Sequence, residues 1–151
     1  MEKDVIISIK GMQAYEGNEE DTVELVTEGR LLDCGEDGLT LTYQESELTG
    51  MEGTLTSFHL EKNGRVTLLR IGEVNSQMVF EEGRRHLSLY QTPYGELSVG
   101  VLANRVKNTV DMSGGELEID YAIELDHALA GQSLFRIQVR EDKRFLKDIK
   151  Q

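Results

Sequence analysis

The chain has 151 residues, a formal net charge of -12 and a pI of about 4.7. That length suits one domain, residues 1–151, able to bury roughly two thirds of its unfolded surface. The acidity excludes a nucleic-acid site, which needs a positive stripe, and argues against docking on an anionic membrane surface.

In chain order, period-2 alternation dominates. Val5, Ile7 and Ile9 alternate with polar neighbours in "MEKDVIISIKG", which has no cleavable signal pattern. Val23, Leu25 and, less cleanly, Leu31 follow. The sole cysteine, Cys34, lies among acids in "LLDCGED". A lone thiol excludes an internal disulfide, and its acidic setting points to a structural residue in a cytoplasmic protein. Leu39, Leu41 and Tyr43, then Phe58 and Leu60, form further runs. Asn63-Gly64 is the dipeptide preferred in two-residue type I′ hairpins. That loop sets Lys62 opposite Arg65, Phe58 opposite Leu69 and Thr56 opposite Ile71. Arg70 then falls opposite Ser57, on the face away from Phe58.

The only proline, Pro93, stands in "QTPYGE". Pro93 presets the first corner of a turn and Gly95 takes the left-handed position, which gives a three-residue loop. Thr92 then faces Glu96, Leu89 faces Val99 and Leu87 faces Val101. Beyond it, Leu97 to Ala103 keep odd parity and Val106 to Met112 even parity, so a bulge is expected near residues 103–105. Gly114-Gly115 sets Ser113 opposite Glu116, Leu117 opposite Met112 and Ile119 opposite Val110. The same register sets Glu124 against Arg105, and Asp111 against Glu118. "ELEIDYAIELD" puts Leu117, Ile119, Tyr121, Ile123 and Leu125 on one face and acids on the other, the pattern of a half-buried antiparallel strand. Phe135, Ile137 and Val139 repeat it. Residues 141–150, "EDKRFLKDIK", are read as a short C-terminal helix. No apolar stretch approaches the roughly 20 residues needed to cross a bilayer. Short strands between Gly-rich turns indicate an all-β sandwich or barrel.

Chemistry-bearing motifs are sparse. His59, His86 and His127 stand far apart, with no HExxH, CxxC or EF-hand pattern, so neither a metal nor another cofactor is expected. There is no GxSxG elbow and no Walker loop, and no catalytic residue is assigned. One constellation is suggestive: Tyr43 and Glu45 in "YQES", Arg70 in "LLRIGE", and Tyr90, Thr92 and Tyr94 in "YQTPYG". A buried arginine needs a carboxylate, and Glu45 is the partner proposed for it. The alternative is a solvent-facing Arg70 whose stem covers apolar surface.

The order "YQES", "LLRIGE", Met78-Val79-Phe80-Glu81-Glu82-Gly83, "LYQTPYGELSV", "GGELEIDYAIEL" resembles the YwiB-like bacterial domain of unknown function, over nearly the whole chain. The resemblance implies a calycin-like (lipocalin-like) single-domain, up-and-down antiparallel β-barrel of about eight to ten strands in the cytoplasm, with no established activity. A barrel of that size is either filled by side chains or holds one small ligand. With 6% aromatic residues, few rings are available as a plug, and an incompletely filled interior is expected.

Two roles follow from that expectation. In the first, a small amphipathic or anionic molecule enters the barrel. Met78, Phe80, Leu89, Val99 and Tyr121 contact its apolar body, Arg70, Tyr43 or Tyr90 meets its polar end, and Glu45 and Tyr94 complete the lumen and mouth. In the second, a filled barrel serves as an interaction scaffold, its protein partner unknown. An enzyme, such as a hydrolase, is the weakest reading. A monomer or weak homodimer is expected.

Overall fold

The computed structural model describes residues 1–15, 21–45, 52–72, 75–92, 95–125 and 128–142, with residues 13–15, 21, 89–92 and 97 as backbone alone. These residues form ten strands: β1 (Glu2–Tyr15), β2 (Asp21–Asp33), β3 (Leu39–Gln44), β4 (Leu55–Leu60), β5 (Val66–Ile71), β6 (Asn75–Phe80), β7 (Arg85–Thr92), β8 (Gly95–Asn108), β9 (Gly115–Leu125) and β10 (Ala128–Glu141). Each strand pairs antiparallel with its sequence neighbour. β1 also pairs with β10, so the sheet closes into a barrel. Closure leaves the terminal strands no free edge along that ladder, as the up-and-down reading expected. Glu141 ends β10; the rest of the expected 141–150 helix, beyond Asp142, lies outside the described residues.

Alternation decides which residues enter the interior. In β9, Leu117, Ile119 and Tyr121 are buried, while Glu116 and Glu118 alternate with them on the outer wall. Val5 and Ile7, Leu41 and Tyr43, Phe58 and Leu60, Val66 and Leu68, Met78 and Phe80, Val99 and Val101, and Ile137 and Val139 are buried in the same way. Outer-wall ion pairs such as Arg85–Glu124 at 2.9 Å and Arg136–Glu118 at 3.3 Å stand partly in water. Each contributes about 0–1 kcal/mol.

The interior is better filled than composition suggested. Phe80 and Tyr121 bring their ring centroids within 4.9 Å, Tyr121 and Phe135 within 5.6 Å, and Phe58 and Phe135 within 6.3 Å. These rings come from β6, β9, β10 and β4. Strands β4 and β10 are not neighbours in the sheet, so the Phe58–Phe135 contact crosses the interior. A small number of aromatic residues, gathered in one layer, plug the barrel at that level.

The expected bulge is present, as the β8–β9 register shifts between Ala103 and Arg105. Three hairpin registers differ from expectation. The β4–β5 loop takes three residues, Lys62-Asn63-Gly64, not two. The Glu61 N–H donates to the Arg65 carbonyl at 3.0 Å, and Gly64 holds φ at +96°. A turn followed by a left-handed glycine is the alternative hairpin that Asn-Gly permits. Arg65 closes it by pairing with Glu61 through Nη2–Oε1 at 3.0 Å. Phe58 therefore faces Leu68, and Thr56 faces Arg70. Because side chains alternate, this slip of one residue carries Arg70 from the outer wall to the inner one.

Across β7–β8, Thr92 pairs with Gly95, so Leu87 faces Gly100 and Ser88 faces Val99. Pro93 and Tyr94 lie outside the described residues. The expected apolar matching loses to packing on the outer wall. A Cβ at Gly100 would lie 2.8 Å from Arg85 Nη2, so the glycine leaves room for the arginine that pairs with Glu124. Leu87 is left exposed.

At the β8–β9 turn, Asp111 bridges to Gly114. The Asp111 carboxylate accepts from Ser113 N–H at 2.8 Å and from its hydroxyl, which hold its pKa below the usual range. This side-chain turn fixes the loop four residues away from the expected pairing sum. Glu118 then faces Lys107, and Asp120 faces Arg105, replacing the expected like-charge pair of Asp111 and Glu118. Glu124 pairs with Arg85, not Arg105.

Candidate functional site

One rung of the sheet is polar within a mostly apolar inner wall. Tyr43 faces Thr56, Thr56 faces Arg70, Arg70 faces Ser76, and Ser76 faces Tyr90. The rung therefore crosses five consecutive strands, β3 to β7, spaced about 4.8 Å apart. Glu45 follows Tyr43 on the same face, its N–H donating to the Thr54 carbonyl at 2.9 Å. Ser88 precedes Tyr90 by two residues on β7. Beneath the rung, one step along each strand, lie Phe58, Leu68 and Met78, which are 0–2% exposed and form an apolar floor.

Burial of these polar groups is nearly complete. Thr56, Ser76, Ser88, Glu45 and Tyr43 are 0–5% exposed, and Arg70 is half-buried. Thr56 Oγ1 donates to Glu45 Oε1 at 2.7 Å. Tyr43 registers both charges. Burial first, then the Glu45 carboxylate, push its phenol well above the usual range, while Arg70 pulls the other way. The phenol thus keeps its proton through neutral pH and remains a donor.

Four atoms of this set are buried without a hydrogen-bond partner: Glu45 Oε2, Arg70 Nε, Ser76 Oγ and Ser88 Oγ. Leaving one such group unsatisfied costs about 1–3 kcal/mol. Three fall on the inner wall of β5–β7 and Glu45 just past the end of β3, and they are the only such side-chain atoms among the described residues. The expected Arg70–Glu45 ion pair does not form; no described ion pair includes either residue. β4 separates their strands, and Thr56, which stands between them, turns its hydroxyl to the carboxylate.

The structure thus brings Tyr43, Glu45 and Arg70 together. Backbone pairing sets Tyr90 at the end of the same rung. Met78, Phe80 and Tyr121 belong to the packed interior below, and Tyr94 lies outside the described residues. Thr56, Ser76 and Ser88 escaped the sequence reading. Ser76 shares parity with Met78 and Phe80, a polar residue closing an apolar stripe, and that was the available signal. His86 lies toward the other end, its Nε2 3.2 Å from Glu81 Oε1, and His59 Nδ1 meets Thr40 Oγ1 at 3.1 Å on the outer wall. Among the described residues, no group of three or more His, Cys, Asp or Glu could hold a metal ion. No described helix is long and apolar enough to cross a membrane. An open depression of about 960 Å³ on the outer wall is lined by Ile6, Val26, Glu28, Arg140 and Glu141, but none of the unpartnered buried atoms belongs to it.

Comparison with solved structures gives the ywiB protein from Bacillus subtilis, with a TM-score of 0.81 over 93% of each chain at 19% identity. At that identity the likeness establishes the fold. Comparison with curated proteins finds no match. A family model described as "Domain of unknown function (DUF1934)" matches residues 7–137, most of the barrel. The chain belongs to that family.

Proposed function

We propose that the protein is a non-catalytic, calycin-like binding barrel of the bacterial cytoplasm, which holds a small molecule with an anionic group against Arg70, Ser76 and Ser88. The observation that carries this reading is the set of four buried, unpartnered polar atoms on the inner wall of a mostly apolar barrel. A cation held this way is suited to a carboxylate or phosphate, whose charge-assisted hydrogen bonds are about twice as strong as neutral ones. Stability would favour an apolar residue at position 70, and sites that keep costly groups tend to be those that use them.

The ring layer limits depth. Phe58, Phe80, Tyr121 and Phe135 fill the interior below the rung, so the ligand is small and polar, with at most a short apolar part. This narrows the expectation of an amphipathic guest lying along the lumen.

The test is calorimetric titration of wild-type protein and Arg70→Gln with a panel of acetate, propionate, butyrate, inorganic phosphate, glycine, β-alanine and γ-aminobutyrate. At least one compound is expected to bind one-to-one, at least tenfold more weakly to the variant. Absence of binding across the panel, or equal affinity in both proteins, would overturn the reading.

A further inference from the structure

The unpartnered atoms of the polar rung are of two opposed kinds. Arg70 Nε–H can only donate, and a carboxylate oxygen such as Glu45 Oε2 can only accept. Ser76 and Ser88 can do either. A simple anion would satisfy Arg70 and the serines, but it would leave Glu45 Oε2 unpartnered and bring like charge toward it. A simple cation would fail at Arg70 in the mirror sense. Thr56 already occupies Glu45 Oε1, so the open oxygen is the one left for an incoming donor.

Resting on the binding reading above, we infer that the ligand is dipolar: an anionic group directed to Arg70, Ser76 and Ser88, and an N–H donor directed to Glu45 Oε2. The simplest chemical class with both poles is an aminocarboxylate. Arg70 and Glu45 carry opposite formal charges, and a ligand with no net charge keeps that balance. β3 and β5 stand two sheet spacings apart, about 10 Å between backbones. Tyr43, held protonated, hydrogen-bonds to the Glu45 carboxylate and helps to fix its position.

Titration of the full-length wild-type protein with glycine, β-alanine and γ-aminobutyrate, each against the carboxylate of equal carbon count (acetate, propionate, butyrate), decides the matter. At least one aminocarboxylate is expected to bind at least tenfold more tightly than its plain counterpart. In Glu45→Gln that advantage should disappear, with plain-carboxylate affinity held or improved. The wild-type comparison stands even if the variant fails to fold. If plain carboxylates or phosphate bind and no aminocarboxylate exceeds its counterpart, the dipolar inference fails while the binding reading survives. An advantage that persists in a folded Glu45→Gln would also overturn the inference. If nothing on the panel binds, both fall together.

Discussion

Thr56 stands opposite Arg70 across the β4–β5 ladder, yet its hydroxyl is bonded to Glu45 and not to the guanidinium. One hydroxyl thus satisfies half of a carboxylate and leaves an arginine Nε buried without a partner. That relationship exists only because the preceding hairpin uses three loop residues. With two, Ile71 would occupy the inner position and Arg70 would face water.

The register itself can be tested by stability. In the observed pairing Ile71 is 55% exposed, so Ile71→Ala should cost less than about 0.5 kcal/mol. Were Ile71 an inner-wall residue, the same truncation would cost roughly 2–5 kcal/mol. Arg70→Met should leave stability unchanged or raise it by about 1 kcal/mol, because an apolar chain replaces a poorly satisfied charge. Urea denaturation of both variants checks these values, and a loss above about 2 kcal/mol in either would contradict the assigned register.

The ring layer makes a complementary claim. Phe80 is fully buried and packs at a tilt against Tyr121, so Phe80→Ala should lose about 3–5 kcal/mol. Leu87 is 69% exposed, and Leu87→Ala should change stability by no more than about 0.5 kcal/mol. Equal effects at the two positions would mean that the rings do not fill the interior.

Tyr43 predicts an alkaline signature. Its folded-state pKa is raised, chiefly by burial, above the unfolded value near 10. Above pH 10 the unfolded chain releases this proton and the folded chain keeps it, so the folded state binds more protons. Stability is then fully present below pH 10 and falls as pH rises past it, by up to about 1.4 kcal/mol per pH unit from this group. Tyr43→Phe should flatten that decline. Spectrophotometric titration of the five tyrosines should also show a fraction that ionises later than the rest. If Tyr43→Phe leaves the alkaline slope unchanged, the phenol is not buried as described.

Much of the barrel was legible because strand alternation is a local property. "ELEIDYAIELD" declares its inner face without reference to any neighbour, and the parity change after Ala103 betrays the bulge. Register was less legible, because it depends on where a left-handed residue falls in the loop. Asn63-Gly64 suits both a two-residue and a three-residue hairpin, and the choice between them moves every side chain of β5 to the other face. Tyr43, Glu45 and Arg70 stood out as polar residues within apolar strands. Ser76 and Ser88 did not, since serine is ordinary on an outer wall; Ser76 was marked only by its parity with Met78 and Phe80, and Ser88 only by the observed β7–β8 register. The ring layer was invisible for a different reason. Phe58, Phe80, Tyr121 and Phe135 come from four strands, of which only β9 and β10 are neighbours, so the layer assembles only once the sheet has curled shut.

The most direct measurement is the ¹H–¹⁵N NMR signal of the Arg70 Nε–H, assigned by its absence in Arg70→Lys. An inward Arg70 whose Nε is shielded from water should give a signal that persists at neutral pH. On addition of a compound of the panel that binds, it should shift saturably, together with the backbone amides of Thr56 and Ser76. A signal erased by rapid exchange with solvent, or one that stays fixed while distant amides respond, would contradict a binding site on the inner wall.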